Sequence, residues 1–437
     1  MPRATPAEES TAAKKSAPQK KLSKSAAKTA KGKAATKMVS DSGKGRAADI
    51  EKFLKGNEAM LGDINRPIDF ISTGSWVVDR IIGDGLGENG AGGIPKGFMA
   101  EVFGKEGCGK TTLALQTAAE CQREGGLVLF VDFEKSLRAQ RHYVKSLGID
   151  INDKSKFIHL EPDTLEDGAK ATFEAIVALR PDLVIIDSVA AMIPSAFLTG
   201  DVEDAIKVGL HARLIGIFVG TLNKVLQKSN TAVLFTNQLR AKIGGMGNGP
   251  QTDTTGGMAF KFYMHLRLQM AVVSKTSSSQ VSEITGKAGT SVVSDQVVKV
   301  TAVKNKMDKP FKSEEVYITF GKGMDGLRSL IELAIKRGVL KGSGWYEYIS
   351  KEDSGYNFKI QGVAKVKAHL EQHPEVVEDM MPRLFPEVDV EAFVQAREAG
   401  EIDKDDMGDE MADLLNQMAA NMSSVSANPS LPGESDD

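Results

Sequence analysis

Long hydrophobic runs are missing from this chain of 437 residues. No stretch approaches the roughly 18 to 20 consecutive apolar residues that would span a bilayer, and the first residues lack the apolar core of a secretory signal. Neither membrane insertion nor export is therefore expected. Cysteine is nearly absent as well, with only Cys108 and Cys121 present. They fall at the start and far end of one expected helix, about 20 Å apart at the helical rise, too far to pair. A disulfide scaffold is excluded, and a reducing cytoplasm fits.

Net charge is also small, at −3, but it conceals a separation of sign. Residues 1–48 carry 12 Lys and Arg against 3 acids, whereas residues 387–437 carry 2 bases against 14 acids. The first segment has almost nothing apolar to bury, so residues 1–47 read as a disordered basic arm and residues 386–437 as an acidic, largely disordered tail. The arm is either a solvated tail or a nonspecific phosphate binder acting through counterion release. A transit peptide is disfavoured because its charges are mostly Lys. Between these ends, a hydrophobic content of 41% is ample for a large core.

The segment Gly104–Thr112, GKEGCGKTT, fits the pattern G-x-x-x-x-G-K-[ST]. An apolar run precedes it and a helix-like run follows, the context such a phosphate-binding loop requires. Its glycines let successive N–H groups point at phosphate oxygens, and the helix beginning near Gly109 adds its positive dipole end. Residues Gly104, Lys105, Glu106, Gly107, Cys108, Gly109, Lys110, Thr111 and Thr112 are thus the candidate nucleotide cradle. Lys110 would reach the β and γ phosphates, and Thr111 stands where a Mg²⁺ ligand is expected.

Three further apolar runs, LVLFVDFE, LVIIDS and TAVLFTNQ, alternate with helical segments over residues 166–180 and 208–227. Such runs are strands buried on both faces, and their alternation with helices predicts a mostly parallel α/β sheet. Ligands bind such sheets beyond the carboxyl ends of the strands. Polar residues fall there three times. Asp187 ends the second run, placed to hold Mg²⁺ with Thr111. Glu134 ends the first and could orient or deprotonate an attacking water, with Asp132 turned to the other face by strand alternation. Gln238 ends the third, where an amide can sense a γ-phosphate.

Taken together, these motifs resemble the bacterial and phage RecA recombinases over roughly residues 48–385. The ordered set comprises ISTGS at 71–75, GIPKG at 93–97, the phosphate loop, LVIIDSVAAMIP, GLHARL, QKSNT, TNQLRAKIG, TTGGMAFKFY and VKNKMDKPFK. The resemblance implies a P-loop ATPase core at 81–325, with helices flanking its mostly parallel sheet. A helix-strand packing arm at 48–80 would precede it, and a small α+β domain at 326–385 would follow. ATP and Mg²⁺ would be the cofactors, Glu134 the catalytic glutamate, Asp187 the metal-holding acid and Gln238 the switch between nucleotide and DNA. Lys304 and Lys306 would reach across a subunit boundary to a neighbour's ATP. DNA would meet a first loop near 197–204 and a second over 239–257, with Arg213, Arg240, Lys242, Gly244, Met246, Thr254, Thr255, Gly256 and Gly257 as contacts.

The implied function is ATP-driven strand exchange by a homo-filament on single-stranded DNA that pairs with homologous duplex. Single-strand-binding and loading proteins would be accessory partners, in the cytoplasm of a bacterium or phage-infected cell, associated with the nucleoid. A ring helicase of the same fold and a nucleotide-gated DNA-binding regulator are the rival readings. Three departures stand out: Cys108 replaces a usual Ser, Arg138 stands where an adenine-contacting acid is expected, and the second DNA loop lacks the family's aromatic. Tyr143 is the candidate for stacking on the base.

Overall fold

The computed structural model describes residues 43–57, 62, 65–83, 92–199, 209–241, 252–281, 288–350 and 355–385. Residues 1–42 of the expected basic arm, residues 84–91 of the Gly-rich segment 83–97, residues 200–208 with most of the expected first DNA loop (197–204), residues 242–251 with Lys242, Gly244 and Met246, and the acidic tail (386–437) lie outside the described residues. The chain divides into two units between Pro67 and Ile68.

In the first unit, helix α1 (Gly43–Gly56) carries Ile50, Phe53 and Leu54 at helical spacing, all exposed, with Lys55 and Glu51 paired at i, i+4. It begins five residues before the expected Ala48, because Lys, Arg and Ala propagate a helix well.

The second unit opens with β1 (Phe70–Ile71), α2 (Trp76–Ile82) and β2 (Ile94–Pro95). Its sheet is built from β3 (Met99–Gly104), β4 (Val128–Asp132), β5 (Phe157–Leu160), β6 (Leu183–Asp187), β7 (Ala232–Ala241), β9 (Leu266–Val281), β10 (Ala288–Asn305), β11 (Ser313–Thr319) and β12 (Gly323–Asp325), with β8 (Thr252–Thr254) paired to β7. The order is β12-β11-β10-β9-β3-β7-β6-β4-β5. From β9 to β5 every pairing is parallel, and β10 to β12 extend that edge antiparallel.

Strand alternation then divides the core into two layers. Ala100, Val102, Phe130, Ile185 and Leu234 face one side, where Leu113 and Ala114 of α3 (Lys110–Arg123), Val77 of α2 and Leu330 of α9 (Gly326–Lys336) cover them. Met99, Leu129, Val131, Val184 and Phe235 face the other side. There they meet Ile176 of α5 (Leu165–Leu179), Phe218 and Val219 of α7 (Leu210–Ser229), and Phe260 of α8 (Gly257–Tyr263). Phe235 packs edge-on against both Phe218 and Phe260. Two short helices, α4 (Arg141–Ser146) and α6 (Ala196–Thr199), complete this part of the chain. Helices on both faces explain why these strands read as unbroken apolar runs.

The last elements are the hairpin β13 (Trp345–Tyr348) and β14 (Phe358–Gln361) and helices α10 (Val363–Gln372) and α11 (Pro374–Leu384). Tyr348 is fully buried and donates its hydroxyl to Asp379, whereas Trp345 is 53% exposed. Of the lysines in this region, Lys367 is held by Asp325 at 2.6 Å, and Lys359 and Lys365 are exposed. Among the described residues no helix is long and apolar enough to cross a membrane.

Candidate active site and nucleic-acid interface

The phosphate loop joins the end of β3 to the start of α3, and its glycines are demanded by space as well as by dihedral angle. Gly107 and Gly109 have φ of 72° and 94°, in the left-handed region that favours glycine. A Cβ at Gly109 would lie 2.4 Å from Ile318 Cδ1, and one at Gly104 would lie 2.3 Å from the Met270 carbonyl oxygen. Cys108 is buried beneath the loop and burial pushes its thiol pKa up, so it serves as a packing residue rather than a reactive thiol. Lys110 donates to the Lys105 carbonyl at 3.0 Å; Lys105, Glu106 and Gly107 are exposed at the loop's crest.

Asp187, at the end of β6, is 2% exposed and meets this loop directly. Thr111 Oγ1 donates to its Oδ2 at 3.0 Å, and Thr236 Oγ1 from β7 donates to its Oδ1. Burial raises its pKa to about 6; Glu134 adds to the rise, and the Thr236 and Thr111 hydroxyls oppose it. The next peptide bond, Asp187 to Ser188, is cis. Ser188 Oγ donates to Glu134 Oε1, while the N–H groups of Phe133 and Glu134 both donate to the Asp187 carbonyl, at 2.8 and 3.3 Å. Two strand ends thereby place Glu134 beside Asp187.

Asp132 turns the other way, as alternation requires. Its Oδ2 accepts from the Leu137 N–H at 2.9 Å and lies 3.3 Å from His159 Nε2. Gln238 stands in register with Gly104 on the neighbouring strand.

A cavity of about 500 Å³ opens beside the loop, walled by Gly107, Gly109, Lys110, Thr111, Thr112 and Tyr143. Tyr143 donates its hydroxyl to Thr112 Oγ1 at 3.0 Å. Part of its lining escaped the sequence reading: Gln296 of β10, whose Nε2 donates to the Gly107 carbonyl at 3.1 Å, and the run Ile318, Thr319, Phe320 and Gly321 at the end of β11. Those residues lie about 200 positions downstream, and only the sheet order brings them here. The one local signal is Phe320, an aromatic 47% exposed at a strand end.

Lys304 and Lys306 lie elsewhere. Lys304 is in register with Arg267, and Arg267 with Glu101, three residues before Gly104. At the strand rise that is about 10 Å from the phosphate loop along the sheet, with two strand spacings added across it. The Lys304 ammonium instead donates to the carbonyls of Lys261 and Phe262 at 2.8 and 3.0 Å.

Of the candidate DNA contacts, Arg213 is exposed in the first turn of α7, and Arg240 is exposed on β7 in register with Asp253 of β8. Thr254 is buried, and Gly256 and Gly257, both with positive φ, turn the chain into α8.

Residues 46–325 match the RecA N-terminal domain family. The chain is 36% identical over 355 residues to Protein RecA of Thermus aquaticus, covering 80% of this chain and 96% of that protein. It is 37% identical over 359 residues to Protein RecA of Trichormus variabilis, covering 82% and 91%. This chain belongs to the RecA family. RecA proteins are DNA-dependent ATPases of recombination and repair, and the phosphate loop, Asp187 and Glu134 occupy the strand ends where an α/β sheet binds ligands.

The Asp187 geometry sets a pH dependence for this member of the RecA family. A carboxyl whose pKa is raised on folding stabilises the native state fully below its unfolded value near 4, and that contribution is lost as pH rises through about 6. Asp187→Asn is therefore expected to stabilise the unliganded protein at pH 8 by about 1 to 3 kcal/mol, with no gain at pH 4. Urea denaturation at the two pH values measures the difference.

Proposed function

We propose that this chain is a DNA strand-exchange recombinase: it assembles on single-stranded DNA, pairs it with homologous duplex, and hydrolyses ATP within the assembly. The observation that carries this reading is the convergence of the phosphate loop, the Thr111–Asp187 contact and Glu134 at one end of the sheet, beside the strand that leads from Gln238 into the second DNA loop.

The residues present fit ATP with Mg²⁺. Gly104 and Gly109 leave no room for a Cβ, and the Thr111 hydroxyl and the Asp187 carboxylate are hard oxygen donors that already meet at 3.0 Å. When bound, Mg²⁺ supplies charge neutralisation on the phosphate oxygens. Lys110 neutralises charge developing on the β and γ phosphates, and the loop's N–H groups hold the chain of phosphates still. Glu134, oriented by the Ser188 hydroxyl, holds the attacking water in line with the γ-phosphorus and takes its proton. Gln238 hydrogen-bonds the γ-phosphate and changes the position of the loop that follows it. Tyr143 and Phe320, the two aromatic residues lining the cavity, stack on the adenine.

Lys304 and Lys306 act on a neighbouring copy's ATP, a reading supported by their distance from this chain's own phosphate loop. The partners are then single-stranded DNA, homologous duplex and further copies of this chain, with single-strand-binding and loading proteins as accessories. The exposed stripe of α1 packs on an adjacent copy. The place of action is the cytoplasm, on the nucleoid.

Strand exchange between circular single-stranded DNA and homologous linear duplex tests the reading. Joint molecules that require homology and ATP, and that vanish with Lys110→Ala, are expected. ATP-driven unwinding indifferent to homology would instead identify a helicase.

A further inference from the structure

A carboxylate in the middle of β3 has no part in the chemistry above, yet it is completely buried. Glu101 is 0% exposed and lies three residues before Gly104. Such a charge is tolerated only when paired and hydrogen-bonded. Arg267 on β9 donates from Nε to Glu101 Oε2, and Asn237 on β7 donates from Nδ2 to Glu101 Oε1 at 2.8 Å.

Both partners reach further, in the same direction. Arg267 Nη2 donates to Thr254 Oγ1 at 3.2 Å, and its guanidinium lies 4.7 Å from the ring centre of Phe103, the residue before Gly104. Asn237 Nδ2 also donates to the Thr255 carbonyl at 2.8 Å, while its Oδ1 accepts from the Gln238 N–H at 2.8 Å. The strand leaving the nucleotide site at Gln238 and the returning residues at Thr254 and Thr255 are thus both tied to one carboxylate on the phosphate-loop strand.

We propose that Glu101, Arg267 and Asn237 form a buried joint that positions both roots of the second DNA loop relative to the phosphate loop, and so couples nucleotide binding to DNA binding. The inference rests on reading residues 239–257 as a DNA-binding segment. A peptide-bond shift at Gly104 moves Phe103 and Glu101 as a rigid strand; Arg267 and Asn237 follow because each is held by a directed hydrogen bond. Thr254 and Thr255 move with them. These three are positioning residues, since none lines the nucleotide cavity.

The coupling is a ratio, and linkage makes it measurable from either ligand. The experiment measures the dissociation constant of a fluorescent oligo-dT for the full-length protein with and without ATPγS and Mg²⁺. It also measures the ATPγS affinity without DNA. Arg267→Met keeps an apolar stem over Phe103 but removes both hydrogen bonds. Because it leaves Glu101 unpaired, the doubly neutral Glu101→Gln with Arg267→Met is made beside it. Arg267→Lys keeps a cation for Glu101 but cannot also span to Thr254.

We expect ATPγS to tighten oligo-dT binding at least tenfold in the parent and less than about threefold in the double variant, with Arg267→Lys between them. ATPγS affinity without DNA should stay within about threefold throughout. An unchanged coupling ratio in the folded double variant would overturn the joint, as would parallel loss of both affinities, which marks a structural role alone. A parent protein that fails to bind oligo-dT would instead overturn the DNA-binding reading on which the joint rests.

Discussion

Glu134→Gln is expected to lower ATP turnover by about 10²- to 10⁴-fold while leaving ATP-dependent assembly on DNA intact. The amide keeps the shape of the carboxylate and an oxygen to accept from Ser188, so the end of β4 should hold its position. What it cannot do is take a proton from water. The groups proposed to hold the nucleotide, Lys110, Thr111 and the loop glycines, are untouched, so affinity should persist and assemblies should outlast those of the parent. Phosphate release measures the first effect, and light scattering or negative-stain microscopy the second. Turnover within tenfold of the parent would remove Glu134 from the base role. Asp132 would be a poor successor, because its carboxylate is engaged by the Leu137 N–H and by His159 on the other side of the strand.

The second large effect concerns Lys304 and Lys306. Replacing either with Ala should depress DNA-dependent ATP hydrolysis by about 10³- to 10⁵-fold, the range seen when a cation supplied by a second molecule is removed from phosphoryl transfer. ATP affinity of the dilute, unassembled protein should change less than about twofold, because neither lysine lies near its own phosphate loop. Mixing a Lys304→Ala chain with a Glu134→Gln chain sharpens the test. Each is inactive alone, but a mixed assembly places intact lysines against an intact glutamate at some contacts, and partial activity should return. Loss of nucleotide affinity in the unassembled variants would refute the assignment between copies.

The central layer was legible because its physics is local. MAEVF, LVLFV, LVIID and TAVLF are apolar at nearly every position, with apolar residues on both alternating faces, the pattern of a strand covered by helices on both sides. The carboxyl ends of those strands could be marked from the sequence, and the structure brings Gly104, Glu134, Asp187 and Gln238 together at that one edge. What the sequence did not disclose depends on long-range register. Gln296 and Phe320 reach the cavity only because β10 and β11 fold back antiparallel beyond β9. The Glu101–Arg267 pair was equally hidden, since an isolated Glu within an apolar run signals a conflict without naming the residue that resolves it. Helix α1 was misplaced at its start for a simpler reason: Gly43 and Gly45 in GKGRAA read as breakers, whereas the helix runs through both.

The lysine pair stands about 10 Å from the phosphate loop along the sheet and two strands across it, so the two features occupy different parts of the surface. If the lysine pair of one copy meets the phosphate loop of the next through two different surfaces, as proposed above, that contact is head-to-tail. A row built from that contact has a direction. At one terminus a nucleotide waits without borrowed cations, and at the other a lysine pair faces solvent with nothing to act on. In such a row hydrolysis would begin one contact inside it rather than at the tip that lacks a lysine donor, and the two tips should gain and shed copies at different rates.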